Sequence, residues 1–240
     1  MGNGGTCVIT GASRGIGRAT AIALAEKGEY STVVLIARTE EDLAETKELA
    51  GGGPNIVVYP FDLSDLDNIP ALISSIVERF SAIDLLVNVA GYADPKPLFE
   101  TSVESLEESY RINVFALLVM CREVAKHMRR QRHGKIINIA STAGSSPRPG
   151  WVSYSSSKAA VISISKTLSA ELAEYGIKVY SVSPGRCATA LRRKLAPEED
   201  PTTIMQPEEV AEVIANLSGN AGDALNGQDI IVRHQPKQSS

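Results

Sequence analysis

Short apolar runs rich in Val and Ile recur along the whole chain, and this rhythm restricts the fold more than any other feature. The runs are Thr6 to Thr10, Thr32 to Ala37, Ile56 to Tyr59, Leu85 to Asn88, Lys135 to Ala140, Lys178 to Ser183 and Asp229 to Arg233. Stretches with helical spacing separate them, at about Gly15 to Lys27, Glu40 to Ala50, Ile69 to Phe80, Val103 to Arg130, Val152 to Tyr175 and Pro207 to Leu217. Near-continuous apolar strands need cover on both faces, and strands alternating with helices supply it as a parallel sheet with right-handed crossovers. The expectation is a single doubly wound α/β domain over residues 1–240, ending in a polar tail at 235–240. With 43% apolar and 22% charged residues, the chain has material for one large core.

Ligands of such sheets bind beyond the carboxyl ends of the strands, so the residues there are the ones to read. The first strand runs into Thr10-Gly11-Ala12-Ser13-Arg14-Gly15-Ile16-Gly17, a glycine-rich turn opening a helix. Glycines permit the turn and the close approach of a phosphate, and the free amides with the helix dipole favour its charge. The spacing is Gly-x-x-x-Gly-x-Gly, which differs from the Gly-x-Gly-x-x-Gly of the usual dinucleotide fingerprint. The second strand ends in Ala37-Arg38, where a carboxylate would suit the ribose hydroxyls of NAD(H). Arg38 with Arg14 instead suits the 2′-phosphate of NADP(H), unless both are ordinary solvated arginines. Asp62-Leu63 and Asn88-Val89-Ala90-Gly91 end the third and fourth strands, as cofactor contacts or as strand-end caps.

On the helix beginning near Val152, Tyr154 and Lys158 stand at i and i+4, so phenol and ammonium share a face. A cation beside a phenol favours its anion and brings proton transfer nearer to neutral pH. Tyr92 and Lys96 repeat the spacing, but Pro95 and Pro97 interrupt any regular helix there.

Taken in order, the glycine turn, Asn88-Val89-Ala90-Gly91, Ser141, Tyr154-x-x-x-Lys158 and Pro184-Gly185 closely resemble a short-chain dehydrogenase/reductase from about Thr6 to Val232. The general pattern is nearest to NADP-dependent 3-oxoacyl-carrier-protein reductases. The resemblance implies a Rossmann-type sheet in the order 3-2-1-4-5-6-7 and a nicotinamide cofactor, NADP(H) ahead of NAD(H). It also implies a homodimer or homotetramer built on the helices containing Asn113 and Tyr154. Carried over, Tyr154 is the proton donor to a carbonyl, Ser141 hydrogen-bonds that carbonyl, and Lys158 lowers the phenol pKa and holds the nicotinamide ribose. Asn113 positions a water that passes protons to Lys158. Cofactor contacts fall on Gly11, Ser13, Arg14, Gly15, Ile16, Gly17, Arg38, Asp62, Leu63, Asn88, Ala90, Gly91, Tyr154, Lys158, Pro184, Gly185, Cys187 and Thr189, the last at the carboxamide. Two departures stand out. Val89 replaces a usual asparagine, and Ile231-Val232-Arg233-His234 replaces a usual Asp-Gly-Gly, which puts a standard tetramer in doubt.

Three loops should surround the reactive carbon: Tyr92 to Phe99, Thr142 to Trp151, and Arg186 to Gln206, the last a mobile lid. Ser141, Arg148, Trp151, Tyr154 and Arg186 are the candidate substrate contacts. Arg148 and Arg186 would meet an anion or stay solvated, and Trp151 is either an aromatic wall or a packed anchor. The substrate is expected to be a small or medium ketone or alcohol. A 3-oxoacyl group on carrier protein or CoA is the second choice, with Arg129, Arg130 and Arg132 as the basic face for an acidic carrier and Tyr175 where a further arginine is usual. A non-catalytic NADP-sensing protein is the alternative of a different class.

A net charge of −4 argues against a nucleic-acid partner. Cys7, Cys121 and Cys187 have no metal-type spacing and read as reduced thiols, so a soluble cytoplasmic protein without a membrane span is expected. Met1-Gly2-Asn3-Gly4-Gly5-Thr6 fits a myristoylation pattern and Asn216-Leu217-Ser218 a glycosylation sequon; the competing strand and helix assignments outweigh both.

Overall fold

The computed structural model describes residues 4–234; the polar tail and the first residues of the myristoylation pattern lie outside them. Seven parallel strands form one sheet in the order β3-β2-β1-β4-β5-β6-β7, as expected. They are β1 Gly5–Thr10, β2 Tyr30–Ala37, β3 Asn55–Pro60, β4 Leu85–Asn88, β5 Gly134–Ile139, β6 Ile177–Pro184 and β7 Asp229–Val232. Among the described residues eight α-helices accompany them: α1 Gly15–Lys27, α2 Glu40–Leu49, α3 Ile69–Phe80, α4 Val103–Tyr110, α5 Leu117–Gln131, α6 Val152–Leu172, α7 Ala190–Leu195 and α8 Pro207–Ser218.

The alternation of strand side chains explains the apolar runs. Cys7, Ile9, Val33 and Leu35 point to the face covered by α1 and α8, where they meet Leu24 and Ile214. Val8, Val34 and Ile36 point the other way and meet Ile73, Met120, Val124 and Val161 of α3, α5 and α6. A strand buried on both faces has no polar side to show. Burying an Ile or Leu side chain contributes about 1.5–3 kcal/mol, so both layers are needed to hold the sheet.

One polar thread crosses this apolar layer. Asn88 Nδ2 donates to Asn138 Oδ1 at 2.9 Å, and Asn138 Nδ2 donates to Ser165 Oγ at 3.0 Å. Buried amides persist when paired, and these tie β4 to β5 and α6 across the centre of the sheet.

The single helix expected over Val103 to Arg130 is interrupted. Between α4 and α5, Arg111–Ala116 form a π-helical turn, which widens the helix around Asn113. The buried Asn113 amide turns inward there, accepting from Tyr92 N–H at 2.8 Å and donating to Tyr92 O at 2.9 Å and Ser157 Oγ at 2.9 Å. Helical periodicity in the sequence continues through the turn and gave no sign of it. The short helix α7, inside the expected loop, was likewise not foreseen.

Candidate active site

The sheet order reverses between β1 and β4, and one cleft of about 980 Å³ opens beyond their carboxyl ends. Its first wall is the glycine turn. Gly11 has φ +65° and sits so close to β4 that a Cβ there would come within 2.7 Å of Ala90 N. A Cβ at Gly17 would overlap the carbonyl oxygen of Gly11. Only glycine fits either place, and the turn lies bare of side chains against the cleft. Arg14, at the N-cap of α1, makes no side-chain cap, so the first-turn amides remain available to an anion.

Arg14, Arg38 and Asp62 line the same end of the cleft. Among the described residues neither guanidinium enters an ion pair. Asp62 does serve as a strand-end cap, its Oδ1 accepting from Ser64 N–H at 2.9 Å. A bare amide turn flanked by two unpaired cations suits a phosphorylated dinucleotide.

The opposite wall carries the hydroxyls. Ser141 caps the short turn after β5, its Oγ accepting from Ala143 N–H at 3.1 Å, and it lines the same cleft as the Tyr154 phenol. Tyr154 is buried at the start of α6, beside Ala93, Ala143 and Leu195. Trp151 meets its ring edge-on at 6.4 Å. The Lys158 Nζ lies 5.9 Å from the centre of the Tyr154 ring and donates to the Ile139 carbonyl at 2.7 Å.

Here the expected electrostatics are corrected. Burial pushes the Tyr154 phenol up, and the Ser141 hydroxyl and the Arg192 charge only partly oppose it. The Lys158 ammonium is turned to a backbone carbonyl, and burial lowers its own pKa to about 8. The spacing correctly gave a shared face, but not which way the ammonium would turn.

Two expected contacts do not line the cleft. Asn88 is buried beneath it, donating to Asn138 and to Cys121 Sγ at 3.4 Å, so it holds the strand ends and does not face a ligand. Asn113 lies behind Gly91, where a Cβ would stand 3.5 Å from Asn113 Oδ1 and 3.7 Å from Lys158 Nζ. The absence of a side chain at Gly91 leaves those two groups facing one small space. All the other expected cofactor positions line the cleft: Ser13, Gly15, Ile16, Leu63, Ala90, Pro184, Gly185, Cys187 and Thr189 among them. Val89, the departure from pattern, packs against the core, and its N–H and that of Ala90 donate to Thr10 Oγ1 at 3.1 and 3.3 Å. Thr10 is a support the sequence did not single out.

Of the substrate candidates, Arg148 lies exposed on the rim and Trp151 forms wall. Arg186 is paired with Glu199 at 3.4 Å. The segment 186–206 closes on itself: Ala188 N–H donates to Met205 O and Met205 N–H to Arg186 O, at 2.8 and 3.2 Å. Across its middle, Arg192 grips Glu199 with Nε and Nη2 at 2.6 and 2.8 Å. Cys187 lines this wall as a buried thiol pushed up to about 12, too high to serve as a nucleophile.

The short chain dehydrogenase family model matches residues 5–200. A 3-oxoacyl-[acyl-carrier-protein] reductase of Synechocystis sp. is 38% identical over 229 residues, 92% of each chain. Among solved structures, a variant actinorhodin polyketide ketoreductase with NADPH superposes with a TM-score of 0.89 at 30% identity, covering 96% of both chains. An NAD+-bound xylitol dehydrogenase superposes with a TM-score of 0.87 at 26% identity, covering 97% of this chain and 99% of the other. A glycine-lined cleft at the switch point, a tyrosine and serine facing it together, and this likeness over the chain's length agree: the chain belongs to the short-chain dehydrogenase family and is an oxidoreductase of the CH–OH/C=O couple.

Proposed function

We propose that the protein is an NADP(H)-dependent reductase of small or medium ketones, with Tyr154 as the proton donor. The observation that carries this is that Tyr154 and Ser141 line one cleft together with the glycine turn and Arg14 and Arg38. When bound, the nicotinamide supplies the hydride. Ser141 donates a hydrogen bond to the carbonyl oxygen as charge grows there. A phenol held up by burial stays protonated at neutral pH, which suits a group that must deliver a proton to that oxygen. Lys158, drawn down to about 8, exchanges protons readily and faces the space it shares with Asn113, through which the phenol is reprotonated. Thr189 and Lys158 orient the nicotinamide end, Asp62 and Leu63 the adenine end, and 186–206 acts as the lid.

NADP(H) is favoured over NAD(H) by the two unpaired arginines and the lack of a carboxylate at the end of β2. A 3-oxoacyl thioester is the second substrate reading, favoured by the Synechocystis relative's name. Its docking face would include Arg129 and Arg132, whose guanidiniums lie 4.7 and 5.6 Å from the centre of the Tyr175 ring. Phe115 and Leu118 are 48% and 40% exposed on the helix containing Asn113, which supports pairing of two copies there. No described helix is long and apolar enough to cross a membrane, and all three cysteines are free and buried, which fits a reducing cytoplasm.

The test is NADPH oxidation against a panel of ketones and acetoacetyl thioesters. Tyr154→Phe should lower kcat by about 10²–10⁴-fold while NADPH binding is unchanged. Turnover by Tyr154→Phe at the wild-type rate would remove Tyr154 from the chemistry.

A further inference from the structure

The lid contains a cation whose surroundings differ from those of its neighbours. Arg193 and Lys194 are exposed, whereas the Arg192 side chain is only 18% exposed and its partner Glu199 15%. Taking both charges largely out of water costs more than a loose surface pair would, and bidentate geometry with low exposure fixes an orientation. That orientation lays the guanidinium over the Trp151 ring, 5.4 Å from its centre, and Trp151 in turn stands edge-on to Tyr154 at 6.4 Å. The N-terminus of α7 fixes the start of the side chain, because Arg192 N–H donates to Thr189 Oγ1 at 3.1 Å. An unbroken series of contacts therefore runs from Glu199 on the far limb of the lid to the phenol.

Building on the role assigned to Tyr154 above, we propose that Arg192 is a positioning residue: clamped by Glu199 and stacked on Trp151, it fixes Tyr154 against Ser141, so that an ordered lid and a ready phenol are one state. An aromatic pair and a stacked cation are each worth about 0.5–1.5 kcal/mol, enough to bias a ring between two positions. The charged groups near Tyr154 are Arg192 from α7 and Lys158 from its own helix, with the Ser141 hydroxyl on the same cleft; only Lys158 and Ser141 belong to the residue set read from the sequence. Arg192 also acts at a distance, since its positive charge opposes the upward push of burial on the phenol.

Trp151 is the sole tryptophan, so the contact can be read directly in the cofactor-free protein. Arg192→Gln and Glu199→Gln should each change its emission, Arg192→Lys less so. In turnover Arg192→Gln should lower kcat about tenfold, leave NADPH affinity intact and move the pH limb assigned to the phenol to higher pH. Arg192→Lys should recover part of both. The charge swap Arg192→Glu with Glu199→Arg restores the ion pair but puts a carboxylate on the ring; it should stay impaired. Unchanged emission and an unmoved pH limb in Arg192→Gln would overturn the proposal, and full recovery by the swap would reduce Arg192 to a lid fastener. Either result counts against Arg192 alone provided Tyr154→Phe is inactive; an active Tyr154→Phe removes the reading beneath it.

Discussion

The two ends of the cleft are made differently. Around the β1–α1 turn, the wall is backbone: Gly11 and Gly17 have no room for a side chain, and Thr10 fastens the amides of Val89 and Ala90 from below. At the other end, the wall is side chains on a segment that closes on itself, with Arg192, Glu199 and Trp151 holding one another. A wall of backbone is fixed by the sheet that carries it and suits a ligand of constant shape. A wall of side chains on a short segment can be refitted without disturbing the sheet, and family members named for different substrates share this frame.

The sharpest way to break this contrast is Gly17→Ala. The new methyl would collide with the Gly11 carbonyl, and an overpacking strain of ~1–3 kcal/mol should weaken dinucleotide binding about tenfold to a hundredfold. Titration with NADPH checks it, and Trp151 emission, which reports the lid, should not change. Arg38→Asp tests the same end with a smaller expected effect. Loss of about a tenfold preference for NADPH over NADH, measured as two dissociation constants, is the expected outcome. Equal affinities in the unaltered protein would contradict the assignment of Arg14 and Arg38.

The smallest effect concerns the other end. The Arg192 hydrogen bond, against a smaller opposing effect of burial, holds the Glu199 carboxyl below its ordinary value of 4.5. A depressed folded-state pKa gives stability that is present above the unfolded value and lost as pH falls through the folded one. Proteolysis within 186–206 should therefore quicken below about pH 4.5, while cleavage near the glycine turn keeps its rate. Cleavage at both sites rising together would show that the two ends do not unfold separately.

Most of the frame was legible in the sequence because its causes are local or periodic. Val8 and Ile9 face opposite ways since strand side chains alternate, and an apolar residue at every position therefore announces two covered faces. Gly11 and Gly17 were legible for a similar reason, since a glycine group between strand and helix has few other uses. Asn88 was misread as a cofactor contact because its position on the rim was visible but its direction was not. For Lys158 too the spacing was legible and the direction was not, since its ammonium donates to the Ile139 carbonyl at the end of β5.

What the sequence determined by itself is the alternation of the seven strands with helices, the glycine turn and the presence of Tyr154 and Lys158 on one helical face. Tertiary structure alone decided the π-helical turn at Asn113, the pairing of Arg192 with Glu199 and the upward push on the Tyr154 phenol. The reason is that propensity and periodicity act between neighbours in the chain. Hydrogen-bond direction and desolvation depend on groups that only the folded chain brings together, as Tyr92 is brought to Asn113 and Arg192 to Trp151.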